Sequence, residues 1–235
     1  MNKKIAIVTG ASTGIGKYMS IELSKKDFTV ILISRNKNKL QSVEDKIKKH
    51  GNDCMILEAD ISQESSIEYI FDKIKAYKKI DILINNAGLG IFNKIENTTY
   101  ADWDIQMNTN LKGSFMMTKN IVPLMIKNNS GKIVFINSVA GLNPYPYSSI
   151  YVASKYGLRG FSSSIREELR EHNIKVISVH PGAIDTPFCN NIKGDFPRDK
   201  MLSSIDIASS VIDAILSPNN IVQEEVVIRA TAGDL

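Results

Sequence analysis

Two cysteines, Cys54 and Cys189, are all that the 235 residues contain. They stand far apart, with neither a C-x-x-C pair nor metal-ligand spacing. A disulfide framework and a zinc knuckle are therefore excluded, no metal is expected, and a reducing compartment is the simpler setting. No apolar run approaches the roughly 18 residues of a membrane helix. Ile5-Ala6-Ile7-Val8 follows Met1-Asn2-Lys3-Lys4 in the manner of a signal peptide but stops at Thr9-Gly10, so it reads as a first strand. The expected protein is soluble and cytoplasmic, with no membrane partner. Linkers rich in Ser and Gly, low-complexity tracts and repeats of roughly 20 to 50 residues are also missing. One domain over residues 1–235 is the economical expectation.

What is present is globular in balance: 43% hydrophobic and 23% charged residues, with fourteen glycines and seven prolines. The net charge of +4 is uneven, because residues 1–50 carry eleven Lys/Arg against four Asp/Glu. Such an excess marks either a polyanion site or the solvent face of one helix bearing Lys37, Lys39, Lys46, Lys48 and Lys49. A phosphate-bearing cofactor would use only part of it. No nucleic-acid motif and no aromatic interleaving accompanies it, so no nucleic-acid partner is expected.

Short apolar runs alternate with longer helical patterns along nearly the whole chain. The runs Lys4–Thr9, Thr29–Ser34, Cys54–Leu57, Ile82–Asn85, Lys132–Asn137, Val176–His180 and Val226–Arg229 predict seven strands. Between them, Ile15–Lys26, Lys37–His50, Glu64–Tyr77, Tyr100–Ile126, Ile150–Glu171 and Ile205–Leu216 predict helices. This alternation is the signature of an α/β fold, a Rossmann-type doubly wound parallel sheet of seven strands with helices on both faces. The longest irregular stretch, about residues 183–204, is expected to be a substrate lid.

Directly after the first strand comes Gly10-Ala11-Ser12-Thr13-Gly14-Ile15-Gly16, leading into a helix. The backbone can turn tightly there while helix N-terminal amides face an anion, so these residues are the expected pyrophosphate cradle. A purely structural turn is the alternative. In an NAD site a carboxylate at the end of the second strand accepts the ribose 2′-hydroxyl; here that position reads Ser34-Arg35-Asn36. A guanidinium can instead grip a 2′-phosphate, so NADP(H) is favoured over NAD(H), unless Arg35 is an ordinary surface arginine.

Tyr151 and Lys155, four apart on a predicted helix, share one face. A tyrosine near pKa 10 is poorly matched to acid–base work at neutral pH, and an adjacent ammonium lowers it. With the glycine turn, Asp60, Asn85-Asn86-Ala87-Gly88, Asn110, Ser138, Tyr151-Val-Ala-Ser-Lys155 and Pro181-Gly182 with Thr186, the chain resembles a short-chain dehydrogenase/reductase over residues 3 to about 229. The resemblance implies that Tyr151 protonates a carbonyl oxygen during hydride transfer and that Ser138 hydrogen-bonds that oxygen. It also implies that Lys155 holds the ribose and that Asn110 anchors a relay water. Asp60 and Ile61 would meet the adenine, Asn86, Ala87 and Gly88 the adenosine ribose, and Pro181, Gly182 and Thr186 the nicotinamide side. Read singly each has a plainer alternative: Asp60 can cap the next helix, and Ser138 and Thr186 can be loop hydroxyls.

The expected substrate-side residues, Gly90, Ile91, Phe92, Val139, Leu142, Asn143, Tyr145, Tyr147 and Phe188, are mainly apolar and aromatic. A ketone or aldehyde with an apolar body fits them better than a small keto acid, although Lys193, Arg198 and Lys200 leave room for acidic substrates. Similar chains include 3-oxoacyl-thioester reductases of fatty acid synthesis. Against that subgroup stand the short lid and the lack of a glycine-rich tail after the last strand. A non-catalytic NADPH-sensing protein is the alternative of another class. The resemblance also implies a homodimer or homotetramer through the fourth and fifth helices, where Trp103, Ile105, Phe115, Met116, Met117, Phe161, Ile165 and Leu169 are either contact surface or core.

Overall fold

The computed structural model describes residues 3–191 and 197–233. Strands form where β-branched residues cluster: β1 Lys4–Thr9, β2 Phe28–Ser34, β3 Cys54–Glu58, β4 Ile82–Asn85, β5 Gly131–Ile136 and β6 Ile174–Pro181. A short parallel ribbon, β7 Ile184–Asp185 with β8 Leu202–Ser203, lies inside the predicted loop, and β9 Glu225–Ile228 ends the sheet. The seven long strands are all parallel in the order β3-β2-β1-β4-β5-β6-β9.

Alternation along each strand divides the core. On one face Ala6, Val8, Val30, Leu32 and Val134 meet helices α1 Gly14–Ser24, α2 Lys37–Lys49 and α7 Ser204–Ile215. On the other, Ile5, Ile7, Ile31, Ile33 and Phe135 meet α3 Glu64–Ile74, α5 Gly113–Lys127 and α6 Ser149–Leu169. Because both faces are covered, the strands read as continuous apolar runs. The five lysines singled out on α2 all point to solvent while Leu40, Val43 and Ile47 are buried, so the basic excess coats a helix.

The predicted helix Tyr100–Ile126 is not continuous. It consists of α4 Tyr100–Met107, started by a Thr99–Asp102 capping box, a π turn at Asn108–Lys112, and α5. In the π turn the Gly113 amide reaches back five residues to the Asn108 carbonyl. The extra residue turns Asn110 inward, where its amide accepts from Leu89 N at 2.9 Å and donates to Leu89 O at 2.9 Å and Ser154 Oγ at 3.0 Å. These three hydrogen bonds, the one to Ser154 fully buried, offset the irregular turn. Of the apolar residues on these helices, Met116, Met117, Ile165 and Leu169 are core, whereas Trp103, Ile105 and Phe115 are exposed.

From β1 the chain winds outward to β2 and β3, then returns to β4 on the other side. This reversal opens a crevice beyond the carboxyl ends of β1 and β4, where ligands bind in open α/β sheets. Phe135 is fully buried in the central sheet, edge-on to Phe161 at 5.7 Å. Phe135→Ala should cost about 3–5 kcal/mol in urea unfolding, while exposed Ile95→Ala should stay within about 0.5 kcal/mol. Equal losses would mean that the core is not centred on this layer.

Candidate active site

The Thr9 hydroxyl joins the two strand ends at the crevice. It donates to Ile84 O at 3.3 Å and accepts from the amides of Asn86 and Ala87, both at 3.0 Å. The Asn86 side chain returns the contact, donating to Thr9 O at 2.9 Å and Gly10 O at 3.2 Å. Gly10 is in the left-handed region (φ +64°), and a Cβ on it would stand 2.8 Å from the Asn86 amide nitrogen. Side chains are thus shut out of the turn by backbone conformation and by packing alike. The following helix, α1, begins without a side-chain cap from Thr13 and with no acidic residue in its first turn. Its amide end remains available to an anion.

Above this turn lies a cavity of about 1000 Å³. Its walls include Gly10, Ser12, Thr13, Gly14, Ile15, Arg35, Asp60, Ile61, Asn86, Ala87, Gly88, Ser138, Tyr151, Lys155, Pro181, Gly182 and Thr186. Of the residues singled out for catalysis or cofactor binding, two are not wall residues. Gly16 packs beneath the turn against Gly10 and Asn86, and Asn110 lies behind, bonded to Leu89 and Ser154.

Arg35, at the end of β2, is exposed, with Nη1 3.9 Å from Asp60 Oδ2. Asp60 Oδ1 accepts from Ser62 N and Oγ at 3.0 and 2.8 Å, so this carboxylate also organises the turn into α3. Ser34 Oγ donates to Ser12 Oγ at 2.8 Å, tying the end of β2 to the glycine turn.

Ser138 follows β5, and Tyr151 and Lys155 rise from one face of α6 to the same wall. Ser138 Oγ accepts from Ala140 N at 3.1 Å, which leaves its own proton free to point elsewhere. Burial pushes the Tyr151 phenol up to about 12, with the Ser138 hydroxyl pulling it the other way. Burial pushes Lys155 down to about 8. Burial works against the sequence-based expectation of a tyrosine acidified by its lysine. Lys155 Nζ donates to Ile136 O at 3.0 Å and stands 5.7 Å from the centre of the Tyr151 ring, and burial is the largest influence on the phenol.

On the substrate side, Phe92 and Phe188 flank Tyr151 at centroid distances of 5.4 and 5.7 Å. Val139, Tyr145 and Tyr147 also line the cavity, whereas Gly90, Ile91, Leu142 and Asn143 do not. Gly90 instead packs directly beneath the Phe92 and Phe188 rings. Asn93 N donates to Tyr147 O at 2.9 Å, linking the two loops that carry these walls. Asn93, Lys94 and Asn97 are wall residues that the sequence did not single out. So is the role of Gln106, whose Oε1 accepts from Ile91 N at 2.9 Å. Its signal was available: a polar residue four before Asn110 on the same helix face. Part of the predicted lid, including Lys193, lies outside the described residues.

A family model described as short chain dehydrogenase matches residues 4–195. The sepiapterin reductase of Chlorobaculum tepidum is 36% identical over 241 residues, covering 99% of this chain and 98% of its own. An uncharacterized oxidoreductase of Staphylococcus epidermidis is 31% identical over 97% of this chain and 98% of its own. A metagenomic short-chain oxidoreductase solved in complex with NADP superposes with a TM-score of 0.85 at 32% identity, over 97% of each chain. The chain belongs to the short-chain dehydrogenase/reductase family of oxidoreductases.

The buried pair gives stability a definite pH dependence. Unfolded lysine keeps its proton to about pH 10.4, so between pH 8 and 10 the unfolded state binds more protons than the folded one, and stability rises with pH. Above pH 10 the Tyr151 phenol acts in reverse, since it is the folded form that keeps the proton. Without cofactor, the Tm of the wild type relative to Lys155→Met should therefore climb from pH 8 to 10 in a thermal-shift series. A flat difference would show that Lys155 is not desolvated.

Proposed function

We propose that the protein is an NADP(H)-dependent carbonyl reductase that converts a ketone or aldehyde to an alcohol. The observation that carries this reading is the convergence of Ser138, Tyr151 and Lys155 on one wall of a cavity whose other end is the glycine turn and the uncapped start of α1.

The residues fit a dinucleotide. Gly10, Ser12, Thr13, Gly14 and Ile15 would hold the pyrophosphate through backbone amides, with Gly16 packed beneath them so that the turn can close. Gly14, also left-handed at φ +52°, would bring a Cβ to 3.3 Å from Thr186. Arg35 would take the 2′-phosphate, which favours NADP(H) over NAD(H). Asp60 and Ile61 would face the adenine, Asn86, Ala87 and Gly88 the adenosine ribose, and Pro181, Gly182 and Thr186 the nicotinamide side. When bound, the cofactor supplies the hydride that reaches the carbonyl carbon.

Tyr151 donates its proton to the carbonyl oxygen. Burial keeps the phenol neutral, the form reduction needs. Ser138, whose lone pair is engaged by Ala140 N, turns its proton to the same oxygen and stabilises the charge that builds there. Lys155 beside the ring steadies the phenolate left behind, and Asn110, joined to Ser154 in the turn before Lys155, organises the water relay that restores the proton. The aromatic wall of Phe92, Tyr145 and Phe188 suits a substrate with an apolar body. Assembly as a homodimer or homotetramer through the exposed Trp103, Ile105 and Phe115 completes the reading, and light scattering reads it directly.

NADPH consumption over diketones, aromatic ketones, aldehydes, keto acids, 3-oxoacyl thioesters and sepiapterin, with NADH for comparison, tests this function. Sepiapterin is included because a relative is named for its reduction. Tyr151→Phe should lower kcat by at least about 100-fold with NADPH affinity unchanged. Arg35→Asp should reverse the cofactor preference. Turnover surviving in Tyr151→Phe refutes the mechanism, a preference for 3-oxoacyl thioesters moves the protein to fatty acid synthesis, and NADPH binding without turnover marks a sensor.

A further inference from the structure

His180 is buried completely in the last turn of β6, one residue before Pro181 at the cavity wall. Its Nδ1 lies 3.2 Å from the carbonyl oxygen of Ser138. A carbonyl only accepts, so Nδ1 carries the proton and Nε2 is left with a lone pair. That lone pair has no hydrogen-bond partner among the described residues. The nearest anion is Glu225 Oε1 at 3.9 Å, and both Glu225 oxygens are taken by Arg159, at 2.8 and 3.0 Å.

A buried imidazole with an unused nitrogen is a poor choice for packing alone, since an apolar side chain would fill the space without a stranded polar atom. The bond it does make falls at a particular place. The ladder between β5 and β6 pairs Ile136 with Val179 and closes with Asn137 N donating to Val179 O at 2.8 Å. Ser138 is the next residue, beyond the reach of the sheet. Its carbonyl accepts from Gly141 N at 2.9 Å on one side and from His180 on the other, so both lone pairs are used and the peptide plane is fixed.

We propose that His180 is a positioning residue: it locks the Ser138 peptide unit and thereby sets the Ser138 hydroxyl against the reacting carbonyl oxygen. This rests on the role given to Ser138 above. The groups facing His180 are Glu225 on β9 and Arg159 and Lys155 on α6, together with the Ser138 carbonyl. Burial holds the imidazole below the ordinary histidine value despite Glu225, so the neutral Nδ1–H form persists at the pH of the assay.

The test is a double-mutant cycle. His180→Leu should lower kcat by about 10–100-fold, the scale of misplacing a reacting group, with NADPH affinity within about twofold. His180→Asn, which returns a donor near the position of Nδ1, should recover most of that loss. In a Ser138→Ala background His180→Leu should do nothing more to kcat. Wild-type kcat in Ser138→Ala would overturn the role of Ser138 itself. Additive losses, or no recovery in His180→Asn, would overturn the role of His180 while leaving Ser138 intact. A readout independent of turnover and of variant folding is the imidazole ¹⁵N spectrum of the wild-type protein, which has only three histidines. A neutral Nδ1–H tautomer is expected for His180, assigned by through-bond correlation, and an Nε2–H tautomer there would overturn the proposal.

Discussion

A single hydroxyl, that of Thr9, holds together the two strand ends from which everything at the crevice is built. It donates to β4 and receives two amides from the loop after β4, and Asn86 replies with its side chain onto the backbone of the glycine turn. The two loops are therefore one rigid floor. Their closeness is what forbids a side chain at Gly10, and it leaves Gly88 beside Asn110 and Lys155, so the floor is continuous with the wall that carries Lys155. Burying these polar groups costs nothing net only because each finds a partner.

The electrostatics of the wall follow from depth. Two groups of opposite acid–base character sit in the same desolvated pocket, and each is driven toward its uncharged form. The lysine compensates by donating to the Ile136 carbonyl, and the phenol has the Ser138 hydroxyl beside it. Burial makes the phenol hold its proton more tightly and the ammonium give its proton up more easily.

The sheet was legible because both its faces are buried, which forces unbroken apolar runs with glycine or charge between them. The glycine turn and the Tyr151–Lys155 spacing were legible because each is local: the residues that define the motif also lie beside one another in space. The π turn at Asn108–Lys112 was not, since every residue in it is acceptable in an ordinary helix and its cause, Leu89 and Ser154, lies far away in sequence. The direction taken by Lys155 was hidden for the same reason. Its partner is a strand carbonyl nineteen residues earlier, and backbone carbonyls have no sequence signature.

The strand order also sets a timetable for the growing chain. β1 is made first, yet it ends between β2 and β4, so one of its edges stays unpaired until residues 82–85 have been synthesised. Three strands with Val, Ile and Leu on both faces must wait through that interval, a contact pattern that folds slowly and exposes apolar edges. The crevice cannot exist before β4 joins, and the wall bearing Tyr151 and Lys155 not before α6 packs on β6. A chain cut short before residue 82 would carry an apolar half-sheet with one edge of β1 open.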